Sequence, residues 1–149
     1  FLEDYKSFFH NGYQYLPIKS PYTGKIWLDR NLGAKTVCQN KKNKQCYGDH
    51  YQFMGEGIDI CPSGFKIPNI NELRNENIDF LKLPLAGKRF YSNHKLGYVD
   101  QYAYIWSSSI KQTGKGRNNP WHLSVQHNNY VTFDVYDKNG GLSVRCIGI

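Results

Sequence analysis

Five histidines, His10, His50, His94, His122 and His127, are the side chains suited to proton transfer or metal ligation near neutral pH, and they fall in different segments. None belongs to an H-E-x-x-H or comparable motif, so neither a metal nor a cofactor is expected. The chain holds no G-x-S-x-G elbow, no P-loop and no G-x-G-x-x-G turn. Serine-hydrolase, nucleotide and dinucleotide chemistry therefore start without support. Cys146 follows Arg145, and a neighbouring cation lowers a thiol's pKa, but a buried or disulfide-bonded strand cysteine is the simpler reading. No enzyme is expected.

Binding has better material. Trp121-His122-Leu123-Ser124-Val125-Gln126 alternates apolar with polar, which in a strand turns Trp121, Leu123 and Val125 to one face and His122, Ser124 and Gln126 to the other. Val131 to Tyr136 repeats the pattern with Thr132, Asp134 and Tyr136 outward. The loop between adds His127, Asn128, Asn129 and Tyr130, and a preceding loop adds Lys115, Arg117, Asn118 and Asn119. Amphipathic rings with short hydrogen-bonding side chains build adaptable recognition surfaces at low entropic cost. The candidate ligand-binding set is Tyr104, Arg117, Asn118, Asn119, Trp121, His122, Ser124, Gln126, His127, Asn129, Tyr130 and Thr132. Trp121 is ambiguous, because alternation places it in the core while its position at the strand start could expose it. An ordinary solvated sheet face is the competing reading.

The elements that would carry this surface fit one domain of 149 residues. Hydrophobic residues are 40% and charged residues 21%, with no apolar run near the ~20 residues of a membrane span. The net charge is +7, but the only dense basic run is Lys41, Lys42 and Lys44, in a segment without helical period. No nucleic-acid partner is expected, while anionic ligands and acidic surfaces stay open. Leu2, Tyr5, Phe8 and Phe9 are spaced for an amphipathic helical turn within residues 1–12, read as an N-terminal extension. A β-hairpin follows around Pro21-Tyr22-Thr23-Gly24, with Pro17 at an edge or a bulge. Asp49 can cap a short helix over 50–54, and Asn69 with Glu72 forms a capping box for a helix over about 70–80. From Tyr102 onward the chain reads as an antiparallel sheet, which makes the order α+β.

Cys38, Cys46, Cys61 and Cys146 contain no C-x-x-C pair. Two disulfides would allow three connectivities. Cys38 with Cys46 is the local pair, which leaves Cys61 with Cys146 as the long-range staple; four reduced thiols are the alternative. A chain that begins at Phe1 rather than Met reads as trimmed or processed, and secretion or surface display is inferred.

Five phrases in order carry a family resemblance: Gly24-Lys25-Ile26-Trp27-Leu28-Asp29-Arg30-Asn31-Leu32-Gly33-Ala34, Cys61 to Pro68 with Glu72-Leu73, Leu83 to Arg89, Ile105 to Ser109, and Leu142-Ser143-Val144-Arg145-Cys146. Over residues 13–149 the chain resembles the Fibrobacter succinogenes major paralogous domain and the variable proteins of diversity-generating retroelements. That resemblance implies a C-type lectin-like fold, akin to the formylglycine-generating enzymes, with two helices, small antiparallel sheets and termini close together. It also implies a variable region at about 105–149, whose outward positions are exchanged while Trp121, Leu123, Val125, Val131, Phe133 and Val135 hold the scaffold. The implied function is non-enzymatic binding of a variable protein or cell-surface target, and the alternative is a fixed structural or cell-envelope module without a dedicated ligand. Asn118-Asn119-Pro120-Trp121 has no carboxylate beside its proline, so calcium-dependent sugar binding is not implied. A single cysteine near the C-terminus likewise argues against oxidase chemistry.

Overall fold

The computed structural model describes residues 6–53, 55 and 59–149. Strand β1 (Phe8–His10) pairs antiparallel with β2 (Tyr13–Tyr15) across Asn11 and Gly12. Both turn residues have positive φ, 51° and 84°, as a two-residue hairpin that follows strand twist requires. The helical turn expected within residues 1–12 is corrected here for Phe8 and Phe9, which are strand; Leu2 and Tyr5 lie outside the described residues. Phe8 anchors the hairpin, its ring 5.9 Å from Phe65 and 6.0 Å from Tyr15.

The expected hairpin around Pro21 to Gly24 is present as β3 (Pro17–Lys19) and β4 (Ile26–Leu28), with Pro17 opening an edge strand. With β5 (Phe65–Lys66) and the C-terminal β11 (Ile147–Gly148), these strands form a sheet in the order β3-β4-β11-β5. The final strand thus lies between early ones, and residues 6–8 share a cavity with Gly148 and Ile149.

The helix expected over 70–80 is two helices, α1 (Ile70–Asn75) and α2 (Ile78–Leu81). The capping box is formed: Glu72 N–H donates to Asn69 Oδ1 at 2.8 Å, and Asn69 N–H donates to Glu72 Oε1 at 2.9 Å. The break comes at Glu76, whose backbone is extended. Its buried carboxylate accepts from Ser20 Oγ at 2.7 Å, Thr23 Oγ1 at 2.8 Å, Trp27 Nε1 at 2.7 Å and Asn77 N–H at 2.9 Å. A buried charge without a counter-ion needs this many donors, and three of them lie on the β3–β4 hairpin rather than on the helix. Asn77 then caps α2 by accepting from Phe80 N–H.

The short helix expected over 50–54 is not formed at 50–53, and Met54 lies outside the described residues. Tyr51 instead exchanges both backbone hydrogen bonds with Leu142, at 2.8 and 3.1 Å, which holds the segment extended. Trp106 Nε1 adds a donor to Tyr51 O at 2.6 Å. A helix of five residues has too few internal bonds to compete with these tertiary ones.

A second sheet, in the order β10-β9-β8, is built from β8 (Tyr102–Ile110), β9 (Pro120–Gln126) and β10 (Val131–Val135). A small hairpin, β6 (Lys88–Arg89) with β7 (Leu96–Gly97), precedes it. Ala103, Ile105, Leu123 and Val125 pack from this sheet against Leu73, Leu81 and Trp27 in one core. Tyr104, Trp106, Leu142 and Val144 enter a second core on the other side. The architecture is α+β, with two short helices and several small antiparallel sheets.

Both disulfides are present, Cys38–Cys46 and Cys61–Cys146. Cys146 is therefore no free thiolate. Arg145 turns away from it into the core, fully buried, where Nε donates to Asn31 Oδ1 at 3.1 Å and Nη1 donates to Leu81 O. Burial lowers its pKa to about 10, which still leaves it charged.

Candidate functional site

Register divides the faces of the C-terminal sheet as alternation predicts. Tyr104 lies opposite Ser124 and Ser124 opposite Thr132, while Trp106, His122 and Asp134 form the next row. The even-numbered residues share the outer face, and Ala103, Ile105, Leu123, Val125, Val131 and Phe133 share the inner one. Exposure departs from expectation. His122 (5%) and Ser124 (7%) are buried on the central strand β9, and Tyr104 (6%) is buried on β8 beneath Lys88 and Tyr98. Tyr98 sets its ring 5.2 Å from Tyr102 and 6.4 Å from Tyr104, and Tyr91 sits 5.8 Å from Tyr136. Within the β6–β7 hairpin, Gly97 leaves room for the Phe90 ring, which a Cβ would meet.

Lys88 is the centre of the covering layer. Its Nζ lies 4.0 Å from the Tyr136 ring centroid, 4.7 Å from Tyr104, and 5.8 Å from both Tyr98 and Phe90. Among the described residues no carboxylate reaches it within ion-pair distance. Ring faces therefore hold the ammonium, each such contact contributing ~0.5–2 kcal/mol according to its desolvation. Burial lowers the Lys88 pKa, with Asp134 opposing the shift. His122 lies 5.8 Å from Tyr104 and 6.2 Å from Tyr136, ring to ring, and burial first, then Lys88, push its pKa down to about 4. Its Nδ1 has no hydrogen-bond partner among the described residues. Burial raises the Tyr104 pKa, reinforced by Tyr102, Tyr98 and Tyr136. At neutral pH the face thus carries a neutral imidazole and neutral phenols, one cation and, at its rim, exposed Asp134.

The remaining candidates separate into groups. Gln126 ends β9 opposite Tyr102, and His127, Asn129 and Tyr130 occupy the β9–β10 turn, where Asn129 takes positive φ and accepts from Lys41 Nζ at 2.9 Å. Arg117, Asn118 and Asn119 occupy the β8–β9 loop at the opposite end of β9, whose 7 residues put ~20 Å between the two loops. Trp121 is half-buried on the inner side, its ring flanked by Arg74 at 5.6 Å and Lys111 at 5.5 Å. Thr132 is exposed beside Ser124. The outer face therefore gathers Tyr104, His122, Ser124, Gln126 and Thr132, and leaves Arg117, Asn118, Asn119 and Trp121 elsewhere.

Comparison of the chain with family models, curated proteins and solved structures finds no match.

Sequence reasoning placed Tyr136 on this face but missed Lys88, Tyr91, Tyr98 and Tyr102 as members of it. The run from Phe90 to Tyr104 contains five aromatic rings, and that density was the available signal. The arrangement suits recognition: half-exposed tyrosines on a sheet packed from both sides, with charge confined to Lys88 and Asp134. Among the described residues no group of three or more His, Cys, Asp and Glu side chains is placed to hold a metal ion, and no helix is long and apolar enough to cross a membrane.

Proposed function

We propose that the chain is a non-enzymatic recognition domain of the C-type lectin-like type, secreted or displayed on a cell surface, which binds a protein or cell-surface ligand through the outer face of β8–β10. The observation that carries this reading is the tyrosine face around Lys88. Tyr91 and Tyr98 are 51% and 44% exposed although their rings are fixed against Tyr136, Tyr102 and Tyr104. Rigid, partly exposed phenols lose little entropy when a partner covers them. The two disulfides fit an oxidising, extracellular setting.

Retroelement diversification would act on the exposed members of the set: Arg117, Asn118, His127, Asn129, Tyr130 and Thr132. Exchange at Arg117, His127, Tyr130 and Thr132 costs little, since exposed substitutions usually shift stability by ~0.5 kcal/mol, whereas Asn118 and Asn129 have positive φ, 71° and 65°, which favours asparagine there. Burial of His122 and Ser124 supports the second reading, a fixed cell-envelope module, because these two expected variable positions are also packing positions. Sequencing the locus from many source cells separates the two. Differences at the exposed positions, with Leu123, Val125, His122 and Ser124 constant, support the diversified binder; a uniform segment, or changes spread equally over buried and exposed positions, leaves the fixed module.

A further inference from the structure

The β1–β2 hairpin lays one of its faces on the body of the protein. Pairing sets Phe8 opposite Tyr15 and His10 opposite Tyr13, and residues two apart on a strand share a face, so these four rings point the same way. Phe8 and Tyr15 pack into the core, where Tyr15 is 1% exposed. His10 and Tyr13, nearer the turn, stay half-buried and wall a cavity of about 320 Å³ that Asp49 and Tyr51 line from the chain opposite.

Gly33 joins the two sides. Its N–H donates to Tyr15 Oη at 2.8 Å, and its lack of a Cβ leaves the space that the Asp49 carboxylate occupies. Asp49 N–H donates to Leu32 O, which fixes the backbone beside that glycine. Tyr51 Oη donates to Asp49 Oδ2 at 3.4 Å, the only hydrogen bond to this carboxylate among the described residues. Burial raises the Tyr51 pKa, and Asp49, Tyr15 and Tyr13 raise it further, as groups gathered around one cavity do.

No cation balances Asp49, which forms no ion pair among the described residues. Arg30, whose charge reaches Tyr15, is held by Asp29 through two bonds at 2.9 Å and donates Nη1 to Lys35 O at 3.2 Å. An exposed carboxylate thus borders a cavity walled by two half-buried phenols and an imidazole. Rings and an anion together favour a cation, and the rings favour one that presents alkyl groups rather than N–H donors alone. The volume is at the low end of small-molecule sites, so the ligand is small.

We propose that this cavity binds a methylated ammonium ion of the choline type, its charge beside Asp49 and its methyl groups against Tyr13, Tyr51 and His10. The assignment is independent of the sheet-face reading, since none of these residues belongs to that face.

Amide chemical-shift titration of the whole chain with choline, at pH 8 where imidazoles are neutral, is the test. Two controls on the same unmodified protein separate charge from methyl groups: 3,3-dimethyl-1-butanol has the shape of choline without its charge, and ethanolamine has the charge without the methyls. Choline should saturate and shift amides of 10–15, 32–33 and 49–51, and each control should bind at least about tenfold more weakly. Asp49→Asn and Tyr13→Leu should each weaken choline by a similar factor while amides remote from the cavity keep their parent shifts. Sedimentation with phosphatidylcholine vesicles identifies the source: retention displaced by choline marks a lipid headgroup, and choline binding without retention marks a free ammonium ion. No saturation by about 10 mM choline, equal binding of either control, or shifts confined to other segments would overturn the proposal.

Discussion

His122 is a base held neutral inside an aromatic layer, and its depressed pKa makes stability depend on acidity. The folded protein takes up the proton only near pH 4, whereas an unfolded histidine does so near 6.5. Between those values the unfolded chain binds more protons, so stability falls as the pH drops through that window, by about 3 kcal/mol for this group. His122→Gln should lose less stability than the parent between pH 7 and pH 4.5 in urea titrations; equal losses would show that His122 does not govern the window. Glu76 is the opposite case, a buried acceptor facing four donors. Glu76→Gln places an amide NH₂ against hydroxyl and indole donors and should cost about 2–3 kcal/mol in the same measurement, with the parent fold retained. An unchanged unfolding midpoint would refute the donor count as the reason for the helix break.

At the scale of elements, the β6–β7 hairpin is short and depends on Lys88 resting among Tyr136, Tyr104, Tyr98 and Phe90. Lys88→Met keeps the apolar stem and removes the charge. It should cost about 1–2 kcal/mol and speed amide exchange at Arg89 and Gly97 more than within β9. Exchange unaltered there would mean that apolar packing alone holds the hairpin. This dependence also explains what could be read from the chain. The strands at 102–107, 121–126 and 131–136 were legible because their period is local, and so was the Asn69–Glu72 cap, whose two halves lie three residues apart. The end of α1 was not, since the groups that draw Glu76 away sit at Ser20, Thr23 and Trp27. Burial of His122 and Ser124 was illegible for the same reason: alternation tells which way a side chain points but not what lies above it. The turn at Asn11-Gly12 was not read, although Asn-Gly is a local signal for a two-residue hairpin.

For the whole molecule, the question is what keeps four small sheets and two short helices as one cooperative unit. The helices have 6 and 4 residues, too few to be stable alone, and β11 contributes only 2 residues to its sheet. Connection therefore rests on the shared cores and on the covalent staples. Cys61–Cys146 closes a separation of 85 residues, joining the segment before β5 to the one before β11, whereas Cys38–Cys46 closes only 8. Loop-closure entropy grows with the logarithm of length, so the long bridge should contribute about 4–5 kcal/mol and the short one about 2–3. The paired substitution Cys61→Ala with Cys146→Ala should accordingly lower the unfolding free energy by about 2 kcal/mol more than Cys38→Ala with Cys46→Ala. Denaturant titration of the two variants decides it. The reverse order would place the stabilising influence in the native packing around Cys38 and Cys46, where Tyr47 and Ala86 form a separate small core with them.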